Sequence, residues 1–222
     1  MLFVIDFDGT LALRDTVDTL LEQFAPASWK EVEQDWLQGR ITAVECMGQQ
    51  IRMVQSGRPA LEDFFQTIAL DASFLPFYRH VIRQAKVAIV SDGLDHPIQV
   101  AIRKAGLPNI PVFANRLDFV PNGIDISFPL LDASCTVGNG VCKCAVARDL
   151  MQPVGGPAVL IGDGKSDACL AHRADVVFAK KSLLRYCEEQ GIVHIPFDTF
   201  ADVLAVVEKW GSHPPRKLSL VA

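Results

Sequence analysis

Apolar runs of strand length recur at Leu2–Ile5, 87–90, 158–161 and Val176–Ala179. Each is short, unbroken by polar alternation, and suited to a strand covered on both faces, as in a parallel sheet. Helical spacing appears over 95–105, which Gly106 and Pro108 end, and over Lys143–Met151, 182–190 and 200–210. Strands alternating with helices predict an α/β protein with a parallel sheet, the helices crossing over between neighbouring strands.

Residues 14–75 follow another pattern, with no convincing strand and several helix starts. Ser28-x-x-Glu31 and Thr42-x-x-Glu45 have capping-box spacing, and Gly39 and Gly57-Arg58-Pro59 punctuate between them. This predicts a helical insertion directly after the first strand, over that strand's carboxyl end, where open α/β sheets bind ligands. The stretch 112–128, with Pro121-Asn122-Gly123 at its middle, predicts a β-hairpin. The last residues, Gly211 to Ala222, with Pro214-Pro215, read as a loose tail.

Composition narrows the partners. The chain has 222 residues, half of them hydrophobic, and a formal net charge of −5, enough to bury a core and without a dense basic block for nucleic acid or an anionic membrane. No apolar stretch reaches the length of a membrane span, and the N-terminus opens on the first strand without a basic region or cleavage site, so a cytoplasmic location is expected. Six cysteines, at 46, 135, 142, 144, 169 and 187, show no C-x-x-C spacing. Reduced thiols are expected, and no zinc site is assigned. Trp29, Trp36, Phe64 and Phe65 sit at helical spacing and read as core of the insertion, while the scattered histidines read as packing or surface residues, with His96 the one closest to a candidate site.

The chemistry lies at the strand ends. Ile5 runs into Asp6-Phe7-Asp8-Gly9-Thr10, Val90 into Ser91-Asp92-Gly93, and Ile161 into Gly162-Asp163-Gly164-Lys165-Ser166-Asp167. In a parallel sheet these ends share one edge. Asp6, Asp8, Asp163 and Asp167 together would form a dense negative site that asks for a cation, and an oxygen-only donor set favours Mg²⁺ over zinc. Gly162-Asp163-Gly164-Lys165-Ser166 lacks the first glycine of a nucleotide-binding loop, since Val159 stands there.

In these motifs and their order, with Lys143 between the second and the last, the chain resembles the haloacid dehalogenase superfamily. The resemblance implies a Rossmann-like core, residues 1–13 and 76–222, with a helical cap at 14–75. It implies a Mg²⁺-dependent phosphomonoesterase in which Asp6 becomes an aspartyl phosphate and Asp8 is general acid and then base. Ser91 and Lys143, with Asp92 and Thr10 beside them, would bind phosphate. Asp6, the Asp8 carbonyl and Asp163 would hold Mg²⁺, with Asp167 supporting the metal or Lys143. The second aspartate, Asp8, favours phosphatase over dehalogenase.

The small helical cap resembles the subgroup that includes phosphoserine phosphatases. Asp15 and Ser166, however, stand where those enzymes usually carry Glu and Asn. Cys135, Asn139-Gly-Val-Cys142-Lys143, Ala174–Ala179 and the stretches after it resemble the methionine-salvage branch, related to phosphocholine and phosphoethanolamine phosphatases. Asp15 and Arg52 are the specificity candidates, the substrate is a small phosphorylated metabolite, and a homodimer through the cap is open. Transfer of the phosphoryl group to another hydroxyl, or a non-catalytic phosphate-binding role, are the alternatives.

Overall fold

The computed structural model describes residues 1–107, 109–121, 123–133, 135, 138–152 and 155–210. The strands are β1 (Leu2–Ile5), β2 (Lys86–Leu94), β3 (Val112–Val120), β4 (Gly123–Ser127), β5 (Ala158–Gly162), β6 (Val176–Ala179) and β7 (Ile195–Pro196). The helices are α1 (Thr16–Phe24), α2 (Trp29–Leu37), α3 (Ala43–Arg52), α4 (Arg58–Phe65), α5 (Phe74–Val81), α6 (Asp95–Lys104), α7 (Lys143–Met151), α8 (Ala168–Ala171), α9 (Lys181–Gln190) and α10 (Phe200–Val207).

One seven-stranded sheet has the order β4-β3-β2-β1-β5-β6-β7. All its pairings are parallel except β3 with β4. From β1 the chain builds outward first to one side and then to the other, so β1 lies at a switch point, where a crevice opens at the carboxyl ends of the strands. Alternate residues of β1 supply the two faces. Phe3 and Ile5 join a core with Phe74 and Phe77 of α5, Ile98 of α6 and Phe200 of α10. Leu2 and Val4 join another with Val146 of α7, Leu170 of α8 and Leu183 of α9. Burial on both faces explains why these strands read as continuous apolar runs.

Helices α1 to α4 gather Leu20, Leu21, Trp29, Ile51, Leu61 and Phe65 into a third cluster, which also takes Leu117, Ile124 and Ile126 from the β3–β4 hairpin. The helical region therefore packs on the hairpin edge of the sheet. Two crossing segments lead into and out of it, with Leu13 N–H bonded to the Ala69 carbonyl and Asp71 N–H to that of Leu11.

Several details depart from the sequence reading. The Thr42–Glu45 capping box forms, but Ser28 does not cap α2. Trp29 N–H already bonds the Pro26 carbonyl, so Ser28 is helical (φ −64°, ψ −11°) and cannot adopt the extended conformation an N-cap needs. Helix α5 and the short β7 were not anticipated. Cys144 and Cys169 are joined as a disulfide, which corrects the expectation of reduced thiols throughout. They lie 25 residues apart on neighbouring α7 and α8, a closeness created by packing rather than by sequence spacing. The other four cysteines are free. The expected tail, 211–222, and the hairpin residue Asn122 lie outside the described residues. No helix among the described residues is long and apolar enough to cross a membrane.

Candidate active site

At the end of β1 the chain leaves extended conformation through Asp6 (φ −70°, ψ 156°) and turns tightly at Gly9, where φ is +70°. A side chain at Gly9 would also collide with the Asp163 carboxylate, so glycine is required there twice over. The turn sends Asp6 and Asp8 to different partners. Asp6, 5% exposed, accepts from Lys143 Nζ at 2.5 Å. Asp8 Oδ1 accepts from the Thr16 N–H at 2.8 Å and from its hydroxyl at 2.5 Å, while Oδ2 faces the Ser91 hydroxyl at 3.5 Å.

Lys143 opens α7 and is fully buried. Its ammonium bridges Asp6 and Asp167, the latter at 2.6 Å. The remaining oxygen of Asp167 accepts the N–H groups of Asp163 and Gly164, each at 3.1 Å. The loop after β5 is thus folded back on its own carboxylate, and Gly162 has no room for a side chain beside it. Burial alone would push the Lys143 ammonium towards neutrality, but Asp167, Asp6 and Asp92 more than reverse this and hold it charged. Asp6 is raised well above the usual carboxylate range, first by burial and then by Asp167 and Asp163, against the pull of Lys143. Asp8 is pushed up to about 7, chiefly by burial and next by Asp15. Asp8 is therefore about half protonated at pH 7, beside an Asp6 carboxyl paired with an ammonium.

The cavity over these groups measures about 410 Å³, with Asp6, Asp8, Ser91, Asp92 and Asp163 at its base. Its far wall comes from the helical region, with Asp15, Val17, Glu33, Trp36, Met47 and Gln50, and Phe128 closes one side. Carboxylate oxygens of Asp6, Asp163 and Asp167 lie within 4.8 Å of one another, a hard, oxygen-only donor set that fits a divalent cation such as Mg²⁺.

The sequence candidates are therefore brought together with two exceptions. Arg52 does not reach the cavity. At the end of α3 it turns onto β4 and pairs with Asp125 at 2.9 Å, because that helix packs its last turn against the hairpin. Thr10 is buried behind the loop, and its hydroxyl has no hydrogen-bond partner. Asp15 lines the cavity and caps α1, accepting from the Asp18 N–H at 2.9 Å. His96 faces Glu62 at 3.0 Å, away from the carboxylates. Trp36 is cavity wall, whereas Trp29, Phe64 and Phe65 are core as expected.

Sequence reasoning missed Lys181, whose ammonium donates to the Gly9 carbonyl and to Asp163 Oδ2, both at 2.9 Å. The signal was present: β6 also ends in a polar cluster, Lys180-Lys181-Ser182, on the same sheet edge as the other three. Thr16 was missed because its role depends on how α1 returns over β1.

A parallel sheet that gathers charged side chains from four strand ends beneath a helical wall defines an enzyme of the α/β class. Residues 3–172 match the family model described as haloacid dehalogenase-like hydrolase, and the chain belongs to that family, as the motif order indicated. It is 32% identical over 209 residues to the 2-hydroxy-3-keto-5-methylthiopentenyl-1-phosphate phosphatase of an Exiguobacterium species, covering 92% of this chain and 96% of that one. It is 34% identical to the protein of that name from Geobacillus kaustophilus, covering 92% and 94%. A substrate-bound phosphoserine phosphatase shares its fold, with a TM-score of 0.71 at 19% identity over 92% of this chain and 97% of that one.

Proposed function

We propose that the protein is a Mg²⁺-dependent phosphomonoesterase working through an aspartyl phosphate on Asp6. The observation that carries the reading is the unequal pair at the end of β1. Asp6 is held by the buried Lys143 ammonium at 2.5 Å, and Asp8 keeps its proton up to about 7. An Asp6 oxygen attacks phosphorus, the ester P–O bond breaks, and Asp8 gives its proton to the departing alcohol oxygen. Asp8, now a carboxylate, takes a proton from water. That water attacks the same phosphorus, and the aspartyl P–O bond breaks to restore Asp6.

Ser91 and Lys143 hold phosphoryl oxygens, with Asp92 and Thr10 supporting the surrounding loops. Asp6, the Asp8 carbonyl and Asp163 hold Mg²⁺, and Asp167 positions Lys143. The ion, when bound, neutralises phosphoryl charge so that one anion can approach another. Residues 14–75 serve as the cap that excludes water and selects the substrate.

For the substrate we propose the class named by the relatives, a short keto-hydroxy phosphate ester with a methylthio end. Val17, Cys46, Met47 and Phe128 offer an apolar surface to such a tail. Phosphoserine, by contrast, presents a carboxylate. No arginine is among the described residues lining the cavity, and Arg52 is engaged elsewhere.

The test is hydrolysis of p-nitrophenyl phosphate and of a panel of phosphorylated metabolites ranked by kcat/KM. Asp6→Asn abolishes turnover, EDTA stops it, Mg²⁺ restores it better than Zn²⁺, and the methylthio ester ranks above phosphoserine and phosphocholine. Undiminished turnover by Asp6→Asn would refute the mechanism, and a phosphoserine preference would refute the substrate class alone.

A further inference from the structure

Asn115 is fully buried on β3, outside the set of residues that line the cavity, and no step above uses it. Its surroundings are unusual. Strands β2 and β3 pair in register at Val90 with Phe113, and next at Leu94 with Asn115, so the register shifts between. Four steps along β2 are matched by two along β3, and the two excess residues lie within Ser91-Asp92-Gly93. An irregularity of this kind interrupts the backbone ladder and leaves buried polar groups that side chains must satisfy.

Two side chains do so, at the two ends of one peptide. Asn115 Nδ2 donates to the Asp92 carbonyl at 2.5 Å, and the Gly93 N–H donates to the Ser91 hydroxyl oxygen at 2.9 Å. The Asp92 carbonyl and the Gly93 N–H belong to the same rigid plane. Asn115 also donates to the Met47 thioether at 3.6 Å, on the cavity wall, and a side chain at Gly140 would collide with its Oδ1. That oxygen has no hydrogen-bond partner. The amide is thus confined on every side while only its donors are used.

We propose that Asn115 is a positioning residue for phosphate binding, acting through the Asp92–Gly93 peptide on the Ser91 hydroxyl. With the plane held at its carbonyl end, the Gly93 N–H occupies one lone-pair direction of Ser91 Oγ, and the hydroxyl proton is directed to the cavity side, where it meets Asp8 Oδ2 at a long 3.5 Å and a phosphoryl oxygen would take its place. Without Asn115 the plane is free to rotate, the N–H leaves Ser91, and the hydroxyl loses that fixed direction. The inference rests on the reading that Ser91 meets a phosphoryl oxygen.

A double-mutant cycle tests it. Wild type, Asn115→Ala, Ser91→Ala and the double variant are compared for kcat, KM and the inhibition constant of inorganic phosphate, with melting temperatures alongside. Asn115→Ala weakens phosphate inhibition and lowers kcat/KM by roughly tenfold, the scale of one hydrogen bond lost with its acceptor left buried. In the Ser91→Ala background the same substitution costs less than about twofold, because the group it acts on is gone. Asn115→Leu, similar in shape and without a donor, gives the same pattern and substitutes for the alanine variant should that one fail to fold. Equal factors in both backgrounds, or a lower melting temperature with unchanged phosphate inhibition, would overturn the role of Asn115 alone. Unchanged inhibition in Ser91→Ala would overturn both this role and the phosphate reading beneath it.

Discussion

Asp92 and Lys143 are ionisable groups the fold keeps for opposite reasons. Asp92 accepts from the Val141 N–H at 2.8 Å and ties the loop before α7 to the turn after Val90. Burial, only partly offset by Lys143, pushes its carboxyl up to about 6 from 3.8. A carboxyl raised on folding favours the folded state while protonated. That advantage is complete below the unfolded value and is lost as pH rises to about 6, where ionisation costs on the order of 3 kcal/mol. Asp92→Asn keeps an acceptor for Val141 without the charge. The variant's melting temperature, relative to wild type, therefore rises between pH 4 and 6 and levels off above. Lys143 is the reverse case, a charge whose loss leaves Asp6 and Asp167 buried without their counterion. Lys143→Met, similar in volume, destabilises the metal-free protein by about 3–5 kcal/mol in urea unfolding.

Helix α3 begins at a complete capping box, in which Glu45 N–H donates to Thr42 Oγ1 at 3.2 Å and Thr42 N–H donates to the Glu45 carboxylate at 2.8 Å. Thr42→Ala removes one half of that exchange and costs about 1 kcal/mol, read as a lower melting temperature. Because α3 carries Cys46, Met47 and Gln50 of the cavity wall, the same variant raises KM more than it lowers kcat. How far elements could be read from sequence follows from how local their causes are. The core strands β1, β5 and β6 and helices α6, α7, α9 and α10 show in apolar spacing alone. Ser28 misled because the Pro26–Trp29 turn, not the side chain, starts α2. Strand β2 looked as if it ended at Val90, since Ser91-Asp92-Gly93 is polar, yet pairing resumes at Leu94 beyond the shift. No local pattern announces that shift, and Asn115 owes its place to it.

At the scale of the molecule, the convergence of Asp6, Asp8, Ser91 and Asp163 follows from one rule, that parallel strands end on one edge. What the rule omits is where segments between strands return. Thr16 reaches Asp8 because α1 folds back over β1, Arg52 is carried onto the hairpin, and Cys144 meets Cys169 because α7 and α8 are neighbours. These depend on packing between distant segments, so the reaction was more legible in the sequence than the cavity that selects its substrate. Passage of the phosphoryl group through Asp6 is the step on which the proposed mechanism stands. The most direct measurement is mass spectrometry of the wild-type protein acid-quenched during p-nitrophenyl phosphate turnover with Mg²⁺. The prediction is a phosphoryl increment confined to the peptide carrying Asp6, labile to hydroxylamine and missing in Asp6→Asn. Burst-phase release of p-nitrophenol with no covalent label on that peptide, or a label on another side chain, would contradict it.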